Sequence, residues 1–323
     1  MEGRSVRATA TLSAAIALLA VAAGTAPIAE ARISKMARTP YVGAIVIEAK
    51  TGTVLFQDAA DRRTYPASVL KMMTLLITLE QIDRGAIHRS DRVRVTREAE
   101  LTNGSQAYLR EGEVLTVDDL MYALMIQSAN DAAVMLATHI AGSKPAFVRL
   151  MNARAQQLGM RSTLFSSPHG LPPTAKGQDP DVTTARDIAT LARALLKHED
   201  VVRYTSTRQH AIRDGRFVMR SHNHLLDRVK GCDGLKTGFF SAAGFSIAAT
   251  AVRDGVRVIV VVLGSSSSGV RDRKAAELLE IGLSRAPAVL AAAQRPAAKP
   301  VNPVARPVAK PLVKPVPRPL ARR

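Results

Sequence analysis

The 323-residue chain has a single cysteine, Cys232, and no tryptophan, and aromatic residues make up only 4% of it. One cysteine excludes an intramolecular disulfide and the paired Cys/His spacing typical of zinc, so we expect no metal and no other cofactor. The net charge of +18 would favour polyanions. Because few aromatic rings are available to stack on bases, nucleic acid is not an expected partner.

The N-terminal segment has the features of a signal peptide. Arg4 and Arg7 precede an apolar run at residues 8–23, and Ala29-Glu30-Ala31 supplies a small-x-small cleavage pattern. The apolar run is too short to span a bilayer as a mature helix. Residues 1–31 are therefore predicted to be a signal peptide, with an uncleaved anchor as the alternative. The prediction is of an exported protein, in the periplasm or the cell envelope.

Residues 286–323 are predicted to be a basic, Pro/Ala-rich, disordered tail. From Arg295 onward proline recurs every two to four residues, which removes the amide donors that helices and sheets need. This stretch carries eight Lys and Arg residues and no acidic one. We expect it to be either a solvated spacer or a contact for anionic envelope polymers.

Residues 32–285 are predicted to form one domain. Alternating, β-branched segments at 41–49 and 53–57 predict a β-hairpin, and three further strands are expected after residue 226. Between them, capped helical patterns predict an all-helical lobe at about residues 84–200, and a last helix is expected at 270–283. The fold class is α/β, with an antiparallel sheet from both chain ends and an active site in the crevice between the lobes.

Lys-Thr-Gly occurs twice in the chain. Lys50-Thr51-Gly52 lies between the first two predicted strands, where Gly52 suits a tight turn. Lys236-Thr237-Gly238 lies instead on a predicted strand, where Gly238 would let a substrate backbone lie close against the strand. The second triplet is therefore the one expected to take part in chemistry.

Two further motifs precede the second triplet. Ser68 and Lys71 are three residues apart at the start of a predicted helix, and Ser128-Ala129-Asn130 lies at a junction of two helices. Each motif is weak alone, since Ser221-His222-Asn223 also fits the Ser-x-Asn pattern.

The position of Ser68 raises the significance of the first motif. At the first turn of a helix its amide would be free to donate to an oxyanion, and Lys71 would share its face. Burial of Lys71 and a second cation nearby would lower its pKa and make it a base. Lys236 is the expected second cation.

The three motifs in this order resemble those of the penicillin-recognising serine enzymes, a superfamily of penicillin-binding proteins and serine β-lactamases. The chain is similar to the low-molecular-mass penicillin-binding proteins that are D-alanyl-D-alanine carboxypeptidases. The resemblance covers residues 40–283 and is carried by YPASVLKMMT, TVDDLMYALMIQSANDAA, SPHGLP and VKGCDGLKTGFFSAAGFSIAATA. It implies a β-lactamase/transpeptidase-like fold.

The resemblance also implies an activity, the removal of the terminal D-alanine from peptidoglycan stem peptides through an acyl-enzyme. Ser68 would be the acylated nucleophile, Lys71 its general base and Ser128 the relay that passes a proton to the departing D-alanine. β-Lactams would act as covalent inhibitors at Ser68.

Substrate-binding roles are implied for the remaining motif residues. Asn130 would hold the substrate amide, and Lys236 and Thr237 would meet the terminal carboxylate. Gly238 would keep the strand accessible, and the amide of Phe239, with that of the nucleophile, would form the oxyanion hole.

Three alternatives remain open on sequence alone, namely an endopeptidase that cleaves cross-links, a serine β-lactamase and a catalytically idle wall-binding protein. Class A β-lactamases hydrolyse their acyl-enzyme through a glutamate in the helical lobe, and this chain has none between Glu113 and Glu199. Asp179 or Asp181 would have to substitute. The retained motif residues argue against an idle protein. Arg271 is a candidate for assisting carboxylate recognition.

Overall fold

The computed structural model describes residues 36–173 and 178–293. The predicted signal peptide and residues 294–323 of the predicted tail lie outside these ranges. The strands are β1 (Gly43–Glu48), β2 (Val54–Asp58), β3 (Arg92–Arg94), β4 (Val114–Thr116), β5 (Gln209–Ile212), β6 (Phe217–Arg220), β7 (Cys232–Phe240), β8 (Gly244–Arg253) and β9 (Val256–Ser265). The helices are α1 (Lys71–Asp83), α2 (Arg97–Glu100), α3 (Val117–Met125), α4 (Asn130–Ala141), α5 (Lys144–Gln157), α6 (Ala185–Leu195), α7 (Val201–Thr205), α8 (Leu225–Arg228) and α9 (Ser268–Ala293).

The main sheet is built from both ends of the described chain. Its strand order is β2-β1-β9-β8-β7, and each neighbouring pair is antiparallel. This confirms the predicted antiparallel sheet. Strand β7, which carries the second Lys-Thr-Gly triplet, lies at one edge, so one of its sides is open to the cleft.

The sheet is buried on both faces because its central strands are apolar throughout. Ile45 and Ile47 of β1 pack into the larger core with α1 and α6. Ala44 and Val46 point the other way, into a second core with α9. Side chains alternate along a strand, so a continuous apolar run supplies two cores at once.

Helix α1 is the centre of the helical lobe. Residues 72–79 are all buried, and the helix packs against α3, α4, α5 and α6. A helix that is apolar on every side is stable only when other elements surround it. The rigid packing fixes the N-terminal end of α1, where Ser68 and Lys71 lie.

The lobe is not all-helical, contrary to the prediction. Strands β3 and β4 form a short antiparallel ladder within it, in which Val93 pairs with Leu115. Three-residue strands are too short to display a two-residue period, so the pattern gave no signal. A second small hairpin, β5–β6, was also missed, although Asp214 and Gly215 in its turn are typical turn residues.

Helix α9 is longer than predicted. The sequence predicts an end at Leu283, but the helix continues to Ala293 and contains Pro287. Buried Leu283 and Ala286 hold this part against the sheet core, which outweighs the missing amide of the proline. Residues 286–293, assigned to the disordered tail, are therefore helical. None of the described helices combines the length and apolar character needed to cross a membrane.

Candidate active site

Ser68 lies in a 3-10 turn, Ala67–Leu70, that leads directly into α1. The turn is entered through Ala67 at a φ of 46°, a left-handed conformation that costs an alanine about 1 kcal/mol or more. A loop backbone supports it, since a Cβ added to Gly170 would lie 2.2 Å from the Ala67 carbonyl oxygen. Tertiary packing, rather than the local preference of the backbone, therefore positions the serine.

Lys71 is fully buried and lies next to Ser68. Its Nζ is 2.9 Å from Ser68 Oγ, 2.6 Å from Asn130 Oδ1 and 2.7 Å from the carbonyl oxygen of His169. Burial, followed by repulsion from Lys236, holds the pKa of Lys71 well below its usual value. A neutral amine at this position can accept the proton of the Ser68 hydroxyl.

Lys236 is the second buried cation of the site. Its Nζ donates to the carbonyl oxygen of Thr237 at 2.9 Å. Burial, followed by repulsion from Arg271, lowers its pKa to about 7. The repulsion between Lys236 and Lys71, which lowers the pKa of Lys71, agrees with the sequence-based prediction that Lys236 is the second cation.

Ser128 and Asn130 lie at the start of α4. Ser128 has a φ of 60° and is buried beside the cleft. Asn130 accepts a hydrogen bond from Lys71, and its Nδ2 donates to the carbonyl oxygen of Asn103 at 2.7 Å. Asn130 therefore holds the lysine and a neighbouring loop together, and one Nδ2 proton is committed to that loop.

The predicted residues meet in one place. A cleft of about 310 Å³ is lined by Ser68, Ser128, Thr237, Gly238 and Phe239. The other three predicted residues, Lys71, Asn130 and Lys236, are buried, and each is hydrogen-bonded to another residue of the site.

Gly238 has a structural reason beside the predicted one. A Cβ at this position would lie 2.9 Å from the Val69 amide nitrogen and 3.0 Å from the Ser68 amide nitrogen. Strand β7 thus packs directly against the nucleophile turn, and Gly238 makes room for that turn. The prediction that Gly238 also lets a substrate backbone lie close against the strand stays a prediction.

Residues outside the three motifs also line the cleft, among them the sequence-based candidate Arg271. Ser105, His222, His224 and Arg271 face the same cavity. Arg271 is buried and its Nε donates to Asp272 Oδ1 at 2.8 Å. No motif marks Ser105 or the two histidines, and only the tertiary fold brings them to the cleft.

The alternative Ser-x-Asn match is a local structure. Asn223 Oδ1 accepts from the amide of Leu225 at 3.1 Å, and the Asn223 amide donates to Ser221 Oγ at 3.2 Å. These bonds organise the entry to α8, so Ser221 and Asn223 have local structural roles, although His222 between them lines the cleft.

His169 and Asp181 organise the loop beside the site. Burial, followed by repulsion from Lys71, lowers the pKa of His169 to about 3, and its Nδ1 accepts from the Leu171 amide at 3.2 Å. Asp181 accepts from the amides of Ser166 and Ser167 at 2.6 and 3.0 Å. Burial raises the pKa of Asp181 to about 6. Both side chains are occupied by the loop.

Comparison with known proteins decides the family. A family model described as D-alanyl-D-alanine carboxypeptidase, peptidase family S11, matches residues 34–267. The chain belongs to this family. This confirms the resemblance drawn from the motifs.

Relatives in the S11 family include the D-alanyl-D-alanine carboxypeptidase DacF of Bacillus subtilis, which is 36% identical over 75% of this chain and 62% of its own length. DacC of Escherichia coli is 34% identical over 74% of this chain and 60% of its own length. The chain therefore spans less than two thirds of these two proteins. The carboxypeptidase of Streptomyces sp. strain K15 is 31% identical over 86% of this chain and 98% of its own length.

Solved structures agree with the S11 assignment. Penicillin-binding protein D2 of Listeria monocytogenes, in an ampicillin-bound form, superposes with a TM-score of 0.69 at 31% identity, over 76% of this chain and 97% of that one. Penicillin-binding protein 6B of Escherichia coli gives a TM-score of 0.69 at 31% identity, over 77% of this chain and 78% of that one. The predicted β-lactamase/transpeptidase-like fold is confirmed.

Proposed function

We propose that the protein is a serine-type D-Ala-D-Ala carboxypeptidase that removes the terminal D-alanine from peptidoglycan stem peptides through an acyl-enzyme. The observation that carries this proposal is the 2.9 Å separation of Lys71 Nζ from Ser68 Oγ, with a lysine that is fully buried and has a lowered pKa. The S11 relatives named as D-alanyl-D-alanine carboxypeptidases support it.

Acylation begins when the neutral amine of Lys71 takes the proton of the Ser68 hydroxyl. Ser68 Oγ then bonds to the carbonyl carbon of the penultimate D-alanine. The amides of Ser68 and Phe239 stabilise the oxyanion, which is the largest single contribution in many acyl transfers. The C–N bond breaks, and Ser128 relays the proton from Lys71 to the departing amine of the terminal D-alanine.

Recognition of the terminal carboxylate falls to the far side of the cleft. Thr237 supplies a hydroxyl, Lys236 supplies positive charge, and the Arg271 guanidinium lines the same cavity. A free C-terminal carboxylate next to the scissile bond distinguishes a carboxypeptidase substrate from an internal peptide bond. Asn130 orients the substrate amide through its second Nδ2 proton.

Deacylation uses the space that the leaving D-alanine vacates. Water enters there, Lys71 takes one of its protons, and the hydroxide attacks the ester carbonyl. The bond between the acyl carbon and Ser68 Oγ then breaks, and Lys71 returns the proton to Ser68 Oγ. A β-lactam acylates Ser68 in the same way, but its leaving group stays attached and keeps water out. Of the two carboxylates that could activate water in a β-lactamase, Asp181 is bound to Ser166 and Ser167, and Asp179 lines a neighbouring cavity rather than the cleft that contains Ser68. The β-lactamase alternative is therefore disfavoured.

The test is digestion of purified muropeptides with the wild-type chain, followed by mass spectrometry. Carboxypeptidase activity predicts loss of one D-alanine from uncrosslinked pentapeptides and no cleavage of cross-links. Ser68→Ala is the matched control and should release nothing. Cross-link cleavage in preference to D-alanine release would show the endopeptidase alternative instead.

The location and the tail belong to the same proposal. The segment at residues 1–31 directs export, and the enzyme acts in the periplasm or cell envelope, where its substrate is found. The eight basic residues from Arg295 onward contact anionic envelope polymers. Cell fractionation with N-terminal sequencing of the exported protein tests the first point, and a mature N-terminus other than residue 32 would contradict the cleavage site.

A further inference from the structure

A second cavity lies beside the catalytic cleft. It has a volume of about 620 Å³, and its wall combines apolar side chains, among them Phe165 and Leu171, with the charged pair Lys144 and Glu98. No step of acylation or deacylation uses this cavity. Its size and mixed polarity are those of a ligand pocket.

The second cavity adjoins the catalytic residues. Asn103 and His169 line it, and their carbonyl oxygens accept hydrogen bonds from Asn130 Nδ2 and from Lys71 Nζ, both at 2.7 Å. Lys71 also contacts Ser68. The Lys71 side chain therefore connects the carbonyl oxygen of His169, in the cavity wall, to the nucleophile.

The loop at residues 103–105 separates the two cavities. Asn103 lines the second cavity and Ser105 lines the catalytic cleft. Gly104 lies so close to the site that an added Cβ would be 2.6 Å from Asn130 Nδ2 and 3.0 Å from Leu171 Cδ2. A substrate chain that leaves the cleft past Ser105 therefore has only this short loop to cross before it reaches the second cavity.

The direction of the substrate follows from the proposed function. The terminal D-alanine lies towards Thr237 and Arg271, so the acyl part extends from Ser68 in the opposite direction, across the loop. The next residue of a stem peptide begins one residue from the bond that is cut, or roughly 3.3–3.6 Å along an extended chain. Its long side chain is the first part of the substrate able to enter the second cavity.

The charges of the cavity wall indicate which side chain fits. Lys144 Nζ is 2.8 Å from Glu98 Oε1, and the two side chains stay 33% and 50% exposed. A ligand that ends in both an ammonium and a carboxylate can place its ammonium against Glu98 and its carboxylate against Lys144. Every charge then keeps an opposite partner. A ligand that ends in an ammonium alone can satisfy Glu98 but leaves Lys144 without its partner.

We propose that the second cavity binds the side chain of the third stem-peptide residue and selects one that ends in both an ammonium and a carboxylate group. Apolar methylenes of that side chain lie against Leu171 and Phe165, its carboxylate meets Lys144, and its ammonium meets Glu98. This specificity rests on the proposed carboxypeptidase function.

Two synthetic pentapeptides that end in D-Ala-D-Ala and differ only in the third residue, meso-diaminopimelate or L-lysine, test the proposal. For the wild type we expect kcat/KM for D-alanine release to be roughly three- to tenfold higher for the diaminopimelate peptide, the size of one partly shielded charge contact. Lys144→Ala should bring this ratio close to one. Charge exchange in Lys144→Glu/Glu98→Lys should restore part of it.

Lys274→Ala is the matched control, because Lys274 forms a similar ion pair with Glu277, at 2.7 Å, on helix α9 away from the cavity. It should keep the wild-type ratio. Labelling by a fluorescent penicillin should remain unchanged in Lys144→Ala, which separates lost specificity from a damaged site.

Equal kcat/KM for the two peptides in the wild type would overturn the assignment of the cavity and leave the carboxypeptidase proposal intact. An unchanged ratio in Lys144→Ala would overturn it as well. Failure to release D-alanine from either peptide would overturn the proposed function and this specificity together.

Discussion

The two Lys-Thr-Gly triplets have the same composition and entirely different surroundings. In the first, the amides of Lys50 and Thr51 donate to the Glu48 carboxylate at 2.9 and 2.6 Å, and Gly52 has a φ of 79°. These groups close the β1–β2 turn, and the Lys50 side chain is exposed.

The second triplet uses the same residue types on an edge strand. Lys236 is buried, Thr237 lines the cleft, and Gly238 contacts the backbone of the nucleophile turn. The difference shows that the chemical role of the second triplet comes from its burial and from its neighbour Ser68. The sequence Lys-Thr-Gly alone does not specify such a role. The following experiments test that conclusion, beginning with the largest expected effect.

Ser68→Ala should abolish acylation. The variant lacks the hydroxyl that lies 2.9 Å from Lys71 Nζ, so labelling by fluorescent penicillin should disappear and D-alanine release should fall by roughly 10³-fold or more. Gel fluorescence and a D-alanine assay measure the two effects. Ser221→Ala, in the other Ser-x-Asn match, should label normally. Persistent labelling of Ser68→Ala would show that the second triplet serves another nucleophile.

Lys71→Ala should slow acylation by roughly 10²- to 10⁴-fold, the range for loss of a positioned general base. The rate of penicillin labelling is the measurement, with circular dichroism as a check of folding. If Lys236 served equally well as the base, labelling in Lys71→Ala would stay near the wild-type rate, and the separate roles given to the two lysines would be wrong.

Gly238→Ala and Gly52→Ala form a matched pair. At position 238 the new Cβ meets backbone atoms of the nucleophile turn, so displacement of Ser68 should lower the acylation rate by roughly 10- to 100-fold. At position 52 it meets the flexible end of Arg193, and the positive φ should cost about 1–2 kcal/mol of unfolding free energy. Activity should change only in the first variant and stability in both. Equal activity in the two would contradict the comparison.

Much of the difference between the two triplets could be predicted from the sequence. The alternating strands around Gly52 predict a hairpin, and the apolar run after residue 226 predicts the strand that carries Lys236. The motifs identified the candidate site residues because they combine spacing with a long family resemblance. What could not be predicted depends on tertiary contacts. The contact of Gly238 with Ser68 joins segments 170 residues apart in sequence, and Ser105 and His222 have no local signal at all.

Element lengths were predicted less well for a physical reason. The end of α9 depends on burial of Ala286 against a distant sheet, and the β3–β4 ladder is shorter than the period that would reveal it. Local patterns report only a preference, and packing decides where an element stops.

The charge of Lys236 predicts a pH effect. Because its pKa is lowered to about 7, the free enzyme loses this positive charge as the pH rises through that value, and binding of the substrate carboxylate should weaken. In the wild type, kcat/KM should therefore decline on the alkaline side, by roughly tenfold when the cation is fully lost. Lys236→Arg keeps its charge at every accessible pH and should show no such decline, with a lower maximum. The same alkaline decline in both proteins would assign it to another group.

Lys50→Ala should have the smallest effect of all. The groups of the first triplet that close its turn are backbone amides and the Thr51 hydroxyl, and alanine retains the amide that donates to Glu48. The backbone carbonyl of Lys50, which accepts from Arg193 Nη2 at 2.8 Å, is also unchanged. Penicillin labelling should match the wild type, and the unfolding free energy should stay within about 0.5 kcal/mol, as for most surface substitutions. Reduced labelling in a folded Lys50→Ala would mean that the hairpin contributes to the site, and the distinction between the two triplets would no longer hold.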